Sequence, residues 1–287
     1  MQNISTLEQS RKNINWKNLS IVTSFHILTV VAFFMFSWEN LVAMLIGNWI
    51  VGSLGIGLGY HRLLTHRSFK APKWLEYTLT VFGSMAVQDD APKWGATHRI
   101  HHQFTEESGD PHSTRPGFWW AHIGWIIRGK AQDHDAETLQ KYVPDLMKDK
   151  FHVTLAKYYY VPLIVSGFIL FAIGGWSMVL WGVFARVVFG WHSTWLVNSA
   201  THFFGSRRFE TKDDSTNQWA IALLTFGEGW HNNHHHAPTS ARHGLKWYEF
   251  DANWLTIRLF EKLGWAKNVR VYEEKQPTEL KPATETI

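Results

Sequence analysis

The chain has 287 residues, 45 % of them hydrophobic and 15 % aromatic, with a formal net charge of only +4. That length fits one or two domains, and 17 Trp beside 19 Phe point to aromatic belts at a membrane–water interface. With no cysteine, disulfides, thiolate metal sites and iron–sulfur clusters are excluded, so any metal must be held by nitrogen and oxygen.

The N-terminal stretch "MQNISTLEQSRKNINWKNLS" is polar and carries Arg11, Lys12 and Lys17. It lacks the short apolar core and cleavage site of a secretory signal, so it reads as a retained cytoplasmic tail. Four apolar stretches follow, at Ile21 to Phe36, Leu41 to Tyr60, Tyr158 to Ile173 and Met178 to Ala200. Each has about the length that crosses a bilayer, and the short links "SWEN" and "GGWS" pair them as two hairpins with no room for a domain on that side. Most Lys and Arg lie in the other connections, which the positive-inside rule assigns, with both termini, to the cytoplasm.

The expected fold is therefore an all-α membrane protein: four transmembrane helices capped by a cytoplasmic helical domain. The expected divisions are a tail (1–20), a hairpin (21–60), a first cap segment (61–157), a second hairpin (158–202), a second cap segment (203–274) and a disordered tail (275–287). Leu75 to Val87 is too short to span and is expected at the interface or packed on the cap. "NWLTIRLFEKLGW", Asn253 to Trp265, has apolar residues at helical spacing and reads as an amphipathic helix covering the cap core.

Three histidine clusters occur in order: "HRLLTH" (His61, His66), "HRIHH" (His98, His101, His102) and "HNNHH" (His231, His234, His235). Spacings of three and four put side chains on one helical face, so each of the last two clusters can present three imidazoles toward a common point. His61 and His66 differ. On a regular helix, residues five apart point about 140° away from each other, so this pair needs a helix end or a local break to converge. All three clusters fall on the cytoplasmic side of the four-span reading. Eight converging imidazoles exceed the four ligands of a structural zinc site, and two metals are the economical explanation. His26, His122, His134, His152 and His192 read as structural or solvated, and His236, pointing off the shared face, as a non-ligand.

The strings "HRLLTHRSFKAP", "WGATHRIHHQFTEESGDPHS", "WHSTWLVNSATHFFGSRRF" and "GEGWHNNHHHAPTSAR" resemble, in order and spacing, the membrane fatty-acid desaturases, specifically the delta-9 acyl-lipid and acyl-CoA type, from about Leu54 to Trp247. The resemblance implies a di-iron centre held by His61, His66, His98, His101, His102, His202, His231, His234 and His235, with Asn198 acting through a water. It implies that dioxygen is the co-substrate and that a cis double bond is introduced into a long acyl chain lying in a closed tunnel. Gln88, Trp94 and Thr194 match positions that shape the bend of that tunnel, and Trp49 and Ser53 match positions near its closed end.

One departure from the animal acyl-CoA members is visible. Their Arg-Asp pair before the second cluster, which contacts coenzyme A, is replaced here by Ala96 and Thr97, so the form resembles the acyl-lipid type. No fused cytochrome b5 segment is visible, so a separate donor, ferredoxin or cytochrome b5, is expected on the cytoplasmic face, with Arg207, Arg208, Arg242 and Lys246 as candidate contacts. Two other readings stand beside this one. A related di-iron hydroxylase or ketolase could use a similar histidine core, and a metal transporter or sensor could hold zinc with it. A transporter, however, places its ligands near mid-span, not at span ends. No nucleic-acid motif is present.

Overall fold

The computed structural model describes residues 13–129 and 132–273. The stretch read as a C-terminal disordered tail and the start of the N-terminal tail lie outside the described residues. Helix α1 (Trp16–Phe33) begins where the Asn15 side chain accepts from the Asn18 backbone at 3.1 Å. Beyond Lys17 it carries no charged residue, so nothing on it resists an apolar surrounding. Ser37 caps α2 (Trp38–Asn48), which runs on into a wider-wound continuation, Trp49–Thr65, in which backbone N–H groups donate to the carbonyl five residues back.

Helix α3 (Lys73–Ser84) turns back along this continuation instead of standing off it. A Cβ on Gly55 would sit 2.5 Å from the Gly83 nitrogen, and one on Gly59 3.0 Å from the Leu79 carbonyl, so the two backbones touch. Helix α4 (Ala91–Phe104) starts at Asp90, which accepts from Lys93 N at 2.9 Å, with Pro92 in its first turn. Short helices at Ala136–Tyr142, Pro144–Lys148 and Lys150–Lys157 follow.

Helix α5 (Val161–Val179) leaves helical geometry at Gly174 and at Gly175, whose φ is 65°. The chain folds back there: a Cβ on Gly182 would lie 2.7 Å from the Leu170 side chain, whereas twelve residues of straight helix span about 18 Å. The apolar run Val161–His202 is thus two helices side by side, the second continuing through Leu180–Ala185, α6 (Arg186–Asn198) and a turn at Ala200–His202. Three apolar runs among the described residues, Trp16–Phe33, Trp38–Thr65 and Val161–His202, are long enough to cross a membrane. Their outer faces expose Phe33, Phe168, Ile173 and Trp176, side chains that lipid rather than water suits.

Three apolar clusters hold the elements, the smallest placing Ala32 against Leu180, Trp181 and Ala185. Leu58, Tyr60, Leu75, Leu79, Val143 and Ile257 join the continuation of α2 to α3, the short helices and α8 (Ala252–Lys262), while Val22, Leu163, Val187, Trp191 and Trp195 join α1, α5 and α6. A helix stands where the amphipathic one is expected and buries Ile257 and Phe260, but it also buries Asn253 and turns Leu255 and Leu259 outward beside Arg258 and Lys262. Ahead of it lies the single-turn α7 (His231–His236).

Candidate metal centre

The wide winding at the end of α2 resolves the geometry of the first histidine pair. His66 N donates to His61 O at 3.0 Å, a bond spanning five residues, and such a turn carries position five back over position zero. The ring centroids of His61 and His66 are 4.7 Å apart. His66 is the cap residue where this helix stops, so the pair converges at a helix end.

Nine imidazoles gather in two groups. His61, His66, His98, His102 and His234 form one, and His101, His202, His231 and His235 the other, with one ring nitrogen of each residue within 4.8 Å of those of its group. This corrects the expectation that each cluster faces a single point. In α4 the i, i+4 pair His98 and His102 joins the first group while His101 turns to the second. In α7 the pair His231 and His235 joins the second group and His234 the first. Residues three and four apart lie on one face but diverge across it, so a helix seated between two centres serves both. Asn198 lines the space beside His98 and His231.

Carboxylates that sequence reasoning passed over fix these rings. His61 Nδ1 donates to Glu228 at 2.5 Å, His101 Nδ1 to Asp110 at 3.0 Å, His202 Nδ1 to Glu106 at 3.0 Å and His235 Nδ1 to Asp213 at 2.9 Å. Glu106 and Asp110 stand in the quoted string "TEESGDPHS" and Glu228 in "GEGWH", but only proximity in space assigns them a partner. Burial alone would raise all four. The paired groups more than offset it: Arg62 and His61 hold Glu228 well below the usual carboxylate range, His202 and Arg115 lower Glu106, His101 lowers Asp110, and His235 lowers Asp213. Arg62 itself is wholly buried and bridges Glu228 and Asp251 at 2.8 and 2.9 Å.

The two asparagines of "HNNHH" serve the back of α7. Asn232 accepts from the backbones of Arg208 and Phe209, each at 2.8 Å, and Asn233 donates to His243 O at 2.9 Å and exchanges bonds with Asn217. Asn217 also bridges Ser206 on one side and Trp230 on the other, which ties the segment after His202 to the start of α7.

The donor set fits metal ions. Nδ1 of His61 and His202 carries the proton given to a carboxylate, so Nε2 presents a lone pair. Yet His61 Nε2 faces His234 Nε2 at 3.2 Å and His202 Nε2 faces His231 Nε2 at 3.1 Å. Nε2 of His101 and of His235 is buried with no hydrogen-bond partner among the described residues. Nitrogens each about 2.1 Å from one ion sit about 3 Å apart, so a shared cation is what turns these contacts from repulsive to binding. Burial, and then mutual repulsion, hold His98, His102, His231 and His234 well below 6.5, the neutral state that ligation requires.

Residues 10–268 match the family model described as "Fatty acid desaturase". The chain belongs to the fatty acid desaturase family. It is 47 % identical to the sn-1 stearoyl-lipid 9-desaturase of Anabaena variabilis over 93 % of this chain and 98 % of the relative. It is 44 % identical to the sn-2 palmitoyl-lipid 9-desaturase of Nostoc sp. (strain 36), over 89 % and 90 %. With the Acyl-CoA 5-desaturase AL21 of Anemone leveillei it shares 42 % identity over 90 % and 80 %.

Two cavities adjoin the histidines of this desaturase as two arms with a partly common lining. One arm is lined by Asn18, Gln88, Asp89, His98, Gln132 and Tyr159, the second by His61, His98, His231, Asn48, Gly52, Ile56 and Phe226. Both arms share Trp94, His98, Thr194 and Asn198. Gln88 donates to Thr194 at 3.0 Å and accepts from Trp94 Nε1 at 3.3 Å, so the three residues assigned to the bend meet there. Val87 (φ 56°) and Asp89 (φ 69°), both left-handed, pin Gln88 between them, and strain of this kind is kept where position matters.

The other residues named from resemblance lie elsewhere. Trp49 is 46 % exposed on the outer side of α2, and Ser53 is buried with its hydroxyl on Asn253 at 2.6 Å; neither lines the two arms, whereas their neighbours Asn48, Gly52 and Ile56 do. Ala96 and Thr97 are buried, Thr97 donating to Lys93 O. Arg208 is paired with Glu249, Arg207 reaches Asp214 at 3.8 Å, Arg242 donates to Gly244 O, and the Lys246 backbone caps Glu249. His26, His192 and His122 form a hydrogen-bonded chain apart from both groups, His134 meets Thr97, His152 meets Glu76, and His236 stacks on Phe209.

Proposed function

We propose that this desaturase introduces a cis double bond, at the delta-9 position, into a saturated acyl chain carried on a glycerolipid, with two irons at the paired histidine groups. The observation that carries the reading is the division of nine imidazoles into groups of five and four beside two cavities with a partly common lining. Asn198, next to the group of four, is the residue to hold a water there. Iron at these ligands supplies the chemistry that reduces dioxygen with two donor electrons and takes two hydrogens from adjacent methylenes, leaving an alkene and water.

The protein's part is placement. An acyl chain offers nothing polar for selection, so the position of attack is set by holding the chain at one depth, and the Gln88–Thr194–Trp94 corner bends it beside His98. The delta-9 position and the lipid carrier are supported by the names of the relatives from Anabaena and Nostoc. Buried Ala96 and Thr97, where acyl-CoA members have an Arg-Asp pair, support the lipid carrier too. Four spans are supported by the three apolar runs and the reversal at Gly174 and Gly175 within the last, and a cytoplasmic cap with both termini on its side by the Lys and Arg content of the long connections. Electrons then come from a separate ferredoxin or cytochrome b5 type carrier on the cap side.

The test is to express the chain in a desaturase-deficient host, with a ferredoxin or cytochrome b5 donor, and map double bonds in total fatty acids by gas chromatography and mass spectrometry. A new cis delta-9 monoene found first in glycerolipids is expected. A hydroxylated or keto product would overturn the desaturation, and a monoene appearing first in acyl-CoA would overturn the carrier.

A further inference from the structure

The three carboxylates that aim the group of four come from two segments of the chain. Glu106 and Asp110, on the loop after α4, hold His202 and His101, and Asp213, on the loop after His202, holds His235. His101 reaches the group from α4, His202 from the turn after α6 and His235 from α7, so their rings converge only if the two loops keep a fixed separation. Within the first loop the backbone sets it: Glu106 N donates to Asp110 at 2.8 Å, and His112 N to the same carboxylate at 3.2 Å. Glu106 itself is left-handed, with φ 63°, strain of the kind kept where position matters.

Between the loops stands Arg115. Its Nη2 donates to Glu106 Oε2 at 2.8 Å and its Nη1 to Asp214 Oδ2 at 2.7 Å. Asp214 adjoins Asp213, and its backbone N–H donates to the same Glu106 oxygen at 3.2 Å, so one guanidinium closes the seam between both loops. Arg207 lies 3.8 Å from Asp214, beyond hydrogen-bond reach. The other Glu106 oxygen is taken by His202 and by Thr114 Oγ1 at 3.1 Å. An exposed ion pair adds little stability by itself, and the Arg115 side chain is 60 % exposed. The Glu106 side chain is only 2 % exposed and bonds a ligand ring, so what Arg115 fixes is the direction of that ring.

The group of five is held differently. Arg62, wholly buried, locks Glu228 against Asp251 and Ala241 O, residues distinct from those on Arg115. Two arginine frames, one buried and one at the surface, thus serve the two imidazole groups.

Resting on the two-iron reading above, we propose that Arg115 is a positioning residue for the group of four: by clasping Glu106 to Asp214 it aims His202, His101 and His235 together, and it alone of the two frames can be opened from the surface. Without it, Glu106 Oε2 is left with the Asp214 N–H, water reaches the carboxylate and the ring of His202 is free to turn. The Arg62 frame is untouched.

The test follows the transfer of iron from purified, iron-loaded protein to an excess of a chromogenic chelator, in wild type, Arg115→Gln, Glu228→Gln and the double variant. In Arg115→Gln one iron per chain is expected to leave about 10 to 100-fold faster than in wild type and the other at the wild-type rate. Glu228→Gln, which acts through His61, should quicken one iron as well, and the double variant both, which shows that the two substitutions address different irons. General loosening of the fold would quicken both in Arg115→Gln alone. Asp214→Asn, which leaves Arg115 on Glu106, should quicken one iron by a smaller factor, and it carries the test if Arg115→Gln does not accumulate in the membrane. Release of both irons at wild-type rates, or equal acceleration of both, overturns the proposal. A wild-type protein that binds fewer than two irons overturns the two-iron reading instead, so the two failures are distinct.

Discussion

Glu228 stands 2.5 Å from His61 Nδ1 and 2.8 Å from Arg62 Nη2, so one carboxylate orients an imidazole of the five-membered group and neutralises the buried guanidinium next to it in sequence. Its removal acts on the metal through His61 rather than directly. Glu228→Gln is expected to keep the protein in the membrane and to lower iron content or monoene yield by about 10 to 100-fold. Metal analysis of the purified variant checks this, and full iron occupancy with wild-type yield would show that His61 needs no such partner.

The buried titratable groups give the iron-free protein a one-sided pH response. His98, His102, His231 and His234 lie well below 6.5 and His112 is lowered to about 3, in each case chiefly by burial. Below pH 6.5 the unfolded chain takes up protons that the fold refuses, so this contribution is complete above that value and lost progressively below it. Glu106 and Glu228, lowered from 4.5, add a second loss as pH falls through that value toward their depressed ones. Both act in the same direction. The thermal midpoint of detergent-purified, iron-free protein should therefore begin to fall near pH 6.5 and steepen below about 4.5. A midpoint flat down to pH 5 would contradict the neutral burial of the imidazoles.

How far the site can be read from the sequence follows from what is local. Histidines at three and four are local periodicity, and so are the apolar stretches. The division of His98, His101 and His102 between two groups is not, because it depends on where α4 sits relative to α7 and α2. The wide turn that brings His66 over His61 has no residue signature beyond a glycine-rich approach. Glu228, Glu106, Asp110 and Asp213 were invisible as partners for the same reason: carboxylates beside histidines in sequence are common, and only the fold pairs Glu106 with His202, 96 positions away. Arg62, lodged inside the first histidine motif, is wholly buried, which no local pattern announces.

Among the described residues, the Thr194 hydroxyl and the Trp94 indole N–H both bond Gln88. Replacing it by Leu leaves the Thr194 hydroxyl and the Trp94 indole N–H without partners beside the acyl chain, and a buried unpaired group costs about 1–3 kcal/mol. If that cost falls on the bent, reactive arrangement of the chain, it lowers monoene yield by about 10 to 100-fold. Gln88→Leu should also scatter double-bond positions, since the corner no longer holds one depth. Mass-spectrometric mapping of the residual product checks both. A lower yield with a single, unchanged position would mean that Gln88 supports folding and not the bend.

His192 links three elements through its two ring nitrogens, 3.0 Å from His26 Nε2 on α1 and 3.0 Å from His122 Nε2 in the segment Trp120–Gly124, and His122 passes the chain on to Ser199 at 3.0 Å. All four residues lie outside the two imidazole groups. Their role is to hold α1 and that segment against α6, so His192→Phe should fill the space, strand both neighbouring nitrogens and cost about 1–3 kcal/mol. The thermal midpoint of the iron-loaded protein is expected to drop by several degrees while iron content per folded molecule stays at the wild-type level. Loss of iron in this variant at temperatures where it remains folded would make the chain part of the metal centre after all, and would require a path from Ser199 to His202 through the turn they share.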